Sequence, residues 1–465
     1  MKKALIVAAI ILVPLTPILL VVTGVIGGKP TSVPPITLTY WTVQNAPEDL
    51  QPLIAAYRVQ HPYVTINVVQ RSAATYATDL VTAWAKGEGP DLFSIPQENL
   101  GAFRDFIVPL PKTTRVAYYT AQKSFFRTDT KVAYRTESTL TADRIRADFV
   151  DTVGKDVVAS DGAILGLPLS VDSLALYYNR DILASAGVAQ APTTWQDFSL
   201  LVPKLTQVDA QDNIIQAAAG IGVGSNVRHG VDLLALLILQ NGSAVIDSAG
   251  RDVPFTQLVG TEALGTSAVE FYTDFASSGK EVYTWNAKLP DSLELFLQGK
   301  VAFFFGTAND RRTLDQQTVR LNYAVAPMMH LADTGLDNDL VTGRPKQINV
   351  ANYWVETVAA RSQHPNEAWS FVQFATRAGV VDAFLAKTAR PAALTSIVAK
   401  QAGDLTLGVF AKQALNAQSW YRGLDAPAAR TALTDMLDTI AATHGDLATA
   451  MNTATQRVLV TLPRR

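Results

Sequence analysis

The sequence contains no cysteine and little histidine. Its 465 residues include 5 His, 39 Lys and Arg, and 41 Asp and Glu. Without cysteine, the chain cannot form disulfide bridges, thiolate zinc sites, cysteine nucleophiles or cysteine-linked lipid anchors. The histidines are scattered without metal-binding spacing, and the net charge of -2 provides no basic face for nucleic acid. We therefore expect no metal, no cofactor and no nucleic-acid partner.

One long stretch lacks charge altogether. Residues 4–28 are uncharged and mostly apolar, and Lys2 and Lys3 precede them. A transmembrane helix takes roughly 20 apolar residues, whereas the apolar part of a cleaved signal peptide takes about 7–15. Residues 1–28 therefore predict a single-pass anchor with the remaining chain on the extracytoplasmic face. A cleaved signal, giving a secreted protein, is the alternative. The proline-containing segment 29–35 predicts a stiff linker.

The chain that follows is long and apolar enough for two lobes, with 48% hydrophobic residues. ITLTYW (36–41) and YVTINVV (63–69) are typical of strands. Between residues 50 and 57, apolar side chains recur at i, i+3, i+4 and i+7, which predicts a helix with one buried face. The order strand, helix, strand predicts a parallel βαβ unit. A helix closed by Gly87 should follow, and then a strand over 90–95.

The segment 111–150 interrupts this alternation. It is rich in Lys, Arg and Thr, and we expect an elaborated surface segment with a helix or two. From residue 161 the α/β pattern resumes, with DGAILGLPL as a hairpin turning at Gly166 and Pro168. SVDSLALYYN should then be a strand, with Asn179 capping the next helix.

Later segments continue the alternation. VDLLALLILQNG (231–242) predicts a buried helix ended by glycine, and KVAFFFG (300–306) predicts a buried strand. INVANYWVETVAA (348–360) predicts a strand or an extended crossover. We expect the chain to pass between lobes near 150–165, 345–355 and 400–415.

Ligands of open α/β sheets bind beyond the carboxyl ends of strands, which selects candidates without any family knowledge. The polar and aromatic residues that follow predicted strands, or lie in the later crossover, are Trp41, Gln44, Asn45, Gln97, Glu98, Thr307, Asn309, Asn352, Tyr353 and Trp354. Each also has a purely structural alternative as a core, turn or helix-cap residue. The glycine-rich stretch GIGVGSNVRHG (220–230) lacks the lysine of a phosphate loop and favours a cleft loop offering Ser225 and Asn226.

Several blocks, in order, resemble a known family. They are YWTVQNAPEDLQPLIAAYRVQHPYVTINVV, GEGPDLFSI, GAILGLPLSVDSLALYYNRDILASAGVAQAPTTWQDF, GKVAFFFG and ANYWVETVAARSQHPNEAWSFVQFAT. Together they resemble bacterial extracellular solute-binding protein family 1, the maltose-binding-protein-like receptors of sugar ABC transporters. The family's usual lipoprotein cysteine is missing, and the segment 111–150 is longer than the resemblance leads us to expect.

The resemblance implies an α/β, two-lobed periplasmic-binding-protein-like fold (type II) with a central ligand cleft and hinge crossovers. Lobe 1 would comprise residues 36–155 and 352–405, and lobe 2 residues 156–351 and 406–465. The implied function is capture of a mono- or oligosaccharide by hinge closure and delivery to ABC permease subunits, by a monomer and without catalysis. A membrane-anchored sensor or adhesin with the same fold is an alternative, and a glycoside hydrolase is another.

A sugar site needs aromatic faces for the ring and polar groups for the hydroxyls, within mostly apolar walls. Asp172 in the hairpin region and Tyr421 in QSWYRG join the strand-end candidates on this basis. The predicted ligand-binding residues are Trp41, Gln44, Gln97, Glu98, Asp172, Asn226, Asn309, Tyr353, Trp354 and Tyr421.

Overall fold

The structure, a computed structural model, describes residues 33–123, 128–317, 320–331, 347–443 and 446–464. The predicted anchor and the first part of the linker lie outside these residues. Within the described ranges, no helix is both long enough and apolar enough to cross a bilayer.

The strands, numbered in chain order, are short except for one pair. They are β1 (Ile36–Thr42), β2 (Val64–Gln70), β3 (Leu92–Pro96), β4 (Thr113–Lys123), β5 (Thr128–Ser138), β6 (Asp172–Ser173), β7 (Ala175–Asn179), β8 (Gln207–Val208), β9 (Ile214–Ala219), β10 (Val301–Gly306), β11 (Tyr323–Ala326), β12 (Asn349–Asn352), β13 (Trp354–Val358) and β14 (Ala417–Gln418).

Helices fill the intervals between the strands and most of the C-terminal part. They are α1 (Pro47–Gln60), α2 (Tyr76–Lys86), α3 (Leu100–Phe103), α4 (Ala142–Asp148), α5 (Asp151–Val157), α6 (Arg180–Ser185), α7 (Trp195–Leu205), α8 (Gly230–Gln240), α9 (Leu264–Asp274), α10 (Ser292–Leu297), α11 (Ala308–Asp315), α12 (Pro365–Ala375), α13 (Ala378–Thr388), α14 (Thr395–Gln401), α15 (Gly408–Ala414), α16 (Ala426–Thr443) and α17 (Leu447–Leu459).

The two largest sheets have separate cores. A four-stranded sheet has the order β13-β3-β1-β2, and a five-stranded sheet has the order β11-β7-β10-β9-β8. Buried residues around the first sheet fall within 38–171 and 351–417, and those around the second fall within 174–350 and 410–462. We call these bodies the first half and the second half. The exact lobe boundaries given above stay a prediction.

The opening βαβ unit is confirmed. β1 pairs in parallel with β2, and α1 buries Leu50, Leu53, Ile54 and Tyr57 against the first core. The next helix ends at Gly87, whose φ of 78° lies in the left-handed region that glycine adopts without strain.

A third sheet connects the two halves. Its order is β14-β12-β6, so three separate passages of the chain meet there. These strands lie at 172–173, 349–352 and 417–418. The range 345–355 contains β12, and the ranges 150–165 and 400–415 precede β6 and β14; where the chain passes between lobes stays a prediction. The sequence gives weak signals here because two of the strands have only two residues.

The turn in DGAILGLPL is displaced from its predicted position. The chain reverses at 159–163, where Gly162 donates its N–H to the Ala159 carbonyl oxygen at 2.8 Å and has φ 82°. Gly166 serves another purpose, since a Cβ there would lie 2.3 Å from a methyl group of Val355. Asn179 caps α6 as predicted, because its Oδ1 accepts from the Asp181 and Ile182 N–H groups at 2.9 and 3.2 Å.

The segment 111–150 contains a feature that the sequence did not indicate. β4 and β5 form an antiparallel pair along eleven residues each, and α4 follows. The pair is attached through its inner strand, where the Ala117 carbonyl oxygen lies 2.8 Å from His61 Nδ1. The hydrophobic pattern was weak because β5 is largely exposed: β4 supplies the buried Val116, Ala117 and Tyr118, whereas β5 adds the half-buried Val132.

Candidate functional site

A cleft of about 380 Å³ lies where the two halves and the connecting sheet meet. It is lined by Val43, Gln44, Asp172, Arg228, His229, Thr307, Asn309, Asp310, Asn352 and Trp354. Most of these residues follow the carboxyl end of a strand or end one, as the strand-end rule requires. Larger surface depressions of about 590 and 510 Å³ are each lined by one half. We take the cleft as the candidate site because both halves line it.

The first-half wall of the cleft is uncharged. Val43 and Gln44 follow β1, and a buried arginine holds this turn in place. Arg390 donates from Nη2 to the Gln44 carbonyl oxygen at 3.0 Å and from Nη1 to Asn45 Oδ1 at 2.5 Å. The side chain of Gln44 therefore stands on a fixed backbone.

Trp354 supplies the aromatic surface of this wall. It begins β13, is half-buried, and packs against Tyr76 with ring centroids 6.3 Å apart. Tyr76 in turn donates its hydroxyl to the Trp41 carbonyl oxygen at 3.0 Å. One face of the indole is thus supported by protein while the ring borders the cavity. A flat apolar face of this kind can stack against a ring-shaped ligand.

The second-half wall contains Asp172, on the connecting sheet. Its Oδ1 accepts from the N–H groups of Ser173 and Ala308 at 2.8 and 3.1 Å, and its Oδ2 accepts from Asn309 at 3.1 Å. Burial raises the pKa of Asp172 to about 6, against the opposing effect of these hydrogen bonds. Asp172 thereby fixes the start of α11, and Asn309 with it, relative to the connecting sheet.

Arg228, His229 and Asp310 form a compact ion cluster on the same wall. Asp310 Oδ1 accepts from Arg228 Nε at 3.0 Å, and Asp310 Oδ2 lies 2.7 Å from His229 Nε2. Burial alone would lower the pKa of His229, but the carboxylates of Asp310 and Asp232 outweigh it and raise the pKa to about 10. Burial opposes ionisation of Asp310 too, yet His229 and Arg228 hold its pKa well below the usual range.

Backbone geometry sets the direction of the histidine. His229 lies immediately before α8 with φ 59°, a left-handed conformation that is uncommon for residues other than glycine. Such strain persists only where the surroundings enforce it, and it concentrates at functional sites. Here it accompanies a side chain whose two ring nitrogens approach Asp310 and Asp232.

Four of the predicted ligand-binding residues come together in this cleft: Gln44, Asp172, Asn309 and Trp354. Asn352 and Thr307, which the strand-end rule also selected, line it as well. Their contact with a ligand stays a prediction.

The other predicted residues lie outside the cleft lining, and most are fully engaged. Gln97 bonds to the backbone of Ala351 and Tyr353, and Asn226 bonds to Trp285, Asn286 and Leu289. The Tyr353 hydroxyl donates to Asp156 at 2.7 Å, and Tyr421, 1% exposed, bonds to Thr461.

Trp41 and Glu98 are also occupied. Trp41 is 6% exposed and lies under Arg71, whose guanidinium carbon is 3.7 Å from the ring centroid. Glu98 pairs with Arg430 through both carboxylate oxygens. These six residues share one property: each packs against or pairs with another part of the chain instead of lining the cavity.

Sequence reasoning missed Arg228, His229 and Asp310. The loop 220–230 was the expected cleft loop, but its site residues come after Asn226, at the boundary with the buried helix α8. Asp438 of α16 accepts from the N–H groups of Gly224 and Ser225, which fixes the loop. Asp310 lies one residue beyond Asn309, so extending the strand-end rule by one position would have found it.

Within the described ranges, no group of three or more His, Cys, Asp or Glu side chains is arranged so that it could hold a metal ion.

Two α/β halves, a small connecting sheet and a polar cleft between them are typical of proteins that bind a small ligand between two lobes. Residues 52–417 match the model of a family described as bacterial extracellular solute-binding protein. The match covers more than half of the chain, which therefore belongs to this family of solute-binding proteins.

Solved structures with this fold include several sugar-binding proteins. The GacH receptor of Streptomyces glaucescens, solved unliganded and with acarbose, aligns with a TM-score of 0.66, 16% identity and 92% and 100% coverage of this and that chain. A sugar-binding protein from Xanthomonas citri aligns with a TM-score of 0.65 and 18% identity. The alignment covers 91% of this chain and 97% of that chain. At these identities the likeness shows the fold.

A curated relative is the galactooligosaccharide-binding protein of Bacillus subtilis (strain 168). It is 22% identical over 162 residues, which is 35% of this chain. The alignment spans 32%, about a third, of that relative.

Proposed function

We propose that this protein is an extracytoplasmic receptor that captures a carbohydrate in the cleft and delivers it to an ABC importer. Membership of the extracellular solute-binding family supports the class of protein. A relative named as a galactooligosaccharide-binding protein, and similar structures solved with acarbose and with maltotetraose, support carbohydrate as the ligand. The particular sugar is the open part of the proposal.

The cleft lining is the observation that carries this function. Trp354 offers a flat apolar face, and Gln44, Asn309 and Asn352 offer amide donors and acceptors around the same cavity. Sugars present an apolar ring face and a rim of hydroxyls, so they need both kinds of group. The volume of about 380 Å³ falls in the range of small-molecule sites.

The connecting sheet supports capture by closure. Three short strands carry the chain between the halves, and each half retains its own core. Rotation about a few short segments leaves such cores intact, which is the usual basis of hinge closure around a ligand. We propose that β6, β12 and β14 form this hinge, in a type II two-lobed arrangement.

The carboxylates of the cleft favour binding without hydrolysis. Glycoside hydrolysis requires two carboxyl groups that flank the scissile bond as acid and as base or nucleophile. Both Asp172 and Asp310 instead accept hydrogen bonds from the protein on each oxygen. These contacts suit a positioning role, so we propose a receptor with no turnover.

Location and partners follow from the same class of protein. The uncharged run at 4–28 supports a membrane anchor, with the receptor acting as a monomer beside permease subunits. Fractionation of cells that express the full chain would test the anchor. Recovery of an intact N-terminus in the membrane fraction is expected, and release of a shortened soluble protein would contradict it.

The ligand class is tested by a thermal-shift screen with mono- and oligosaccharides. A sugar that binds the folded state raises Tm, because it stabilises that state by RT ln(1 + [L]/Kd). Saturable stabilisation with no product after prolonged incubation is the expected result. Stabilisation by other solutes and by no sugar would contradict the carbohydrate assignment.

A further inference from the structure

The ion cluster of the second-half wall continues away from the cavity and ends in the first half. Its members alternate in charge, in the order Arg228, Asp310, His229, Asp232, Arg430 and Glu98. We call this set the ion-pair chain. We propose that the ion-pair chain couples the ligand-facing wall of the cleft to closure of the two halves.

The chain begins at a group that can meet a ligand. Arg228 lines the cavity and its side chain is 44% exposed. Its Nε donates to Asp310, which leaves the terminal nitrogens of the guanidinium for other acceptors. A guanidinium held at one edge is a rigid donor for hydroxyl or carboxylate oxygens.

The middle of the chain is buried and fully paired. Asp310 and Asp232 have side chains only 2% and 5% exposed, and His229 lies between them. Its Nδ1 is 3.6 Å from Asp232 Oδ2. Buried charges interact strongly because little water screens them, so a displaced member forces its neighbours to move.

Asp232 links this cluster to Arg430. Its Oδ1 accepts from Arg430 Nη2 at 2.8 Å and from Trp420 Nε1 at 2.9 Å. The guanidinium carbon of Arg430 lies 5.0 Å from the Trp420 ring centroid. Asp232 and Trp420, both in the second half, therefore hold the Arg430 guanidinium in place, and the same guanidinium also contacts Glu98 of the first half.

The last pair joins the two halves. Arg430 donates from Nε to Glu98 Oε1 at 3.0 Å and from Nη2 to Glu98 Oε2 at 2.8 Å. Glu98 follows β3 of the first half, and its side chain is 13% exposed. Bidentate geometry requires one relative position of the partners, so the pair forms only when the halves are close.

A second ion pair across the cleft, between Arg312 and Asp49, differs from the Arg430–Glu98 pair. Arg312 of α11 reaches Asp49 of α1 through one carboxylate oxygen at 3.4 and 3.5 Å. This contact is longer, and among the described ion pairs none joins it to a cavity residue, although the Arg390 guanidinium interacts electrostatically with both Asp49 and Asp172. Only the pair at Glu98 is continuous with a cavity residue among these described contacts.

Coupling follows from the shared carboxylates. When Glu98 pairs with Arg430, Arg430 is positioned to pair with Asp232. Asp232 in turn positions His229. His229 and Arg228 then each contact one carboxylate oxygen of Asp310. Closure thus orders the wall that meets the ligand. Because linkage is reciprocal, whatever stabilises Arg228 in that position stabilises closure to the same extent. His229, Asp232 and Arg430 are positioning residues in this scheme.

This inference rests on the proposed function, which the sugar screen tests. The test of the inference measures the distance between the two halves without any ligand, so the two experiments can fail independently. The native chain has no cysteine, so Val59→Cys in α1 and Leu200→Cys in α7 provide the only labelling sites. Both positions are exposed, at 76% and 73%. Single-molecule energy transfer between dyes on these residues reports the distance distribution.

We expect Glu98→Gln and Arg228→Gln each to reduce the compact population by about fivefold or more. The double variant should show little further loss, because both changes break the same chain. Arg430→Lys, which keeps the charge and loses the bidentate contact, should act in the same direction. Arg457→Gln serves as the control, since Arg457 pairs with Asp435 on exposed helices of the second half.

Two results would overturn the inference. One is an unchanged distribution of dye-to-dye distances in Arg228→Gln. That result would show that the cavity residue Arg228 has no influence on closure. The other is strictly additive effects of Glu98→Gln and Arg228→Gln, which would make them independent. Circular dichroism and thermal melting of each variant confirm that the labelled proteins are folded.

Discussion

The two walls of the cleft use different chemistry to face the same space. The first-half wall offers an indole and neutral amides on backbone fixed by Arg390, whereas the second-half wall offers buried ions held by one another. Neutral groups can be altered with little effect on folding. Buried ions cannot, because removing one leaves its partner uncompensated. The walls should therefore respond differently to mutation, with stability affected on one side and ligand affinity on the other.

The largest expected effect is on stability, at the centre of the ion cluster. Asp310→Ala removes the acceptor of both Arg228 and His229 and should lower the free energy of unfolding by about 3–5 kcal/mol. Urea denaturation measures this as a lower midpoint. Asp435→Ala removes an exposed partner of Arg457 and should cost about 1 kcal/mol or less. Equal losses in the two variants would contradict the contrast.

The second prediction concerns pH and compares a histidine from each half. The pKa of His229 is raised to about 10 in the folded protein, against about 6.5 in the unfolded chain. Its stabilising contribution is therefore complete below about pH 6.5 and is lost as pH rises through 10. The difference in unfolding free energy between the wild type and His229→Gln should shrink steadily from pH 7 to 10.

His61 in the first half provides the control for this measurement. Burial lowers the pKa of His61, so it is neutral when folded and its contribution is lost only as pH falls below the unfolded pKa. The difference between the wild type and His61→Gln should stay constant from pH 7 to 10. A flat difference for His229→Gln as well would show that its ion pairs contribute no stability.

The third prediction moves to the neutral wall and to binding. Trp354→Ala should weaken binding of the sugar found by thermal shift by about tenfold or more, because the stacking face is lost. Trp354→Phe keeps a flat aromatic face and should lose much less. Isothermal titration calorimetry measures both values. Similar affinities for the wild type and Trp354→Ala would remove Trp354 from the site.

The smallest effect is expected at Gln44. Gln44→Ala deletes one amide and should weaken sugar binding by about threefold to tenfold, the effect of roughly one hydrogen bond. Its unfolding free energy should change by less than about 0.5 kcal/mol. Gln363 is exposed and does not line the cavity, so Gln363→Ala should change neither the sugar affinity nor the free energy of unfolding. A large loss of stability in Gln44→Ala would contradict the expectation that changes in the first-half wall affect ligand affinity and leave stability nearly unchanged.

Much of the fold was accessible from the sequence because it depends on local patterns. The periodicity of α1, the alternation of β1 and β2 and the capping residue Asn179 act over a few residues, and the structure confirms each. The β4–β5 pair was missed because one strand is largely exposed, so hydrophobic alternation carried little signal there. The strand predicted over SVDSLALYYN is divided into β6 and β7, and the short strand β14 was missed because two residues do not make a pattern.

The candidate site divides in the same way. The strand-end rule found Gln44 and Asn309 because they follow the carboxyl ends of β1 and β10. Asn352 and Trp354 were selected from the later crossover, and Trp354 begins β13 opposite the carboxyl end of the antiparallel β3. Sequence reasoning also selected Gln97 and Tyr353, whose polar groups the fold uses for its own contacts. Whether such a polar side chain faces a ligand or another protein group depends on residues 197 and 256 positions away in these two cases.

The sequence by itself determined the composition, the elements and the order of blocks that identify a solute-binding protein. Those properties are local or cumulative along the chain. Only the tertiary structure decided that Arg228, His229 and Asp310 share one cluster, and that Arg430 joins it to Glu98. Pairing of charges depends on distances of about 3 Å between distant segments, and no local pattern encodes such distances.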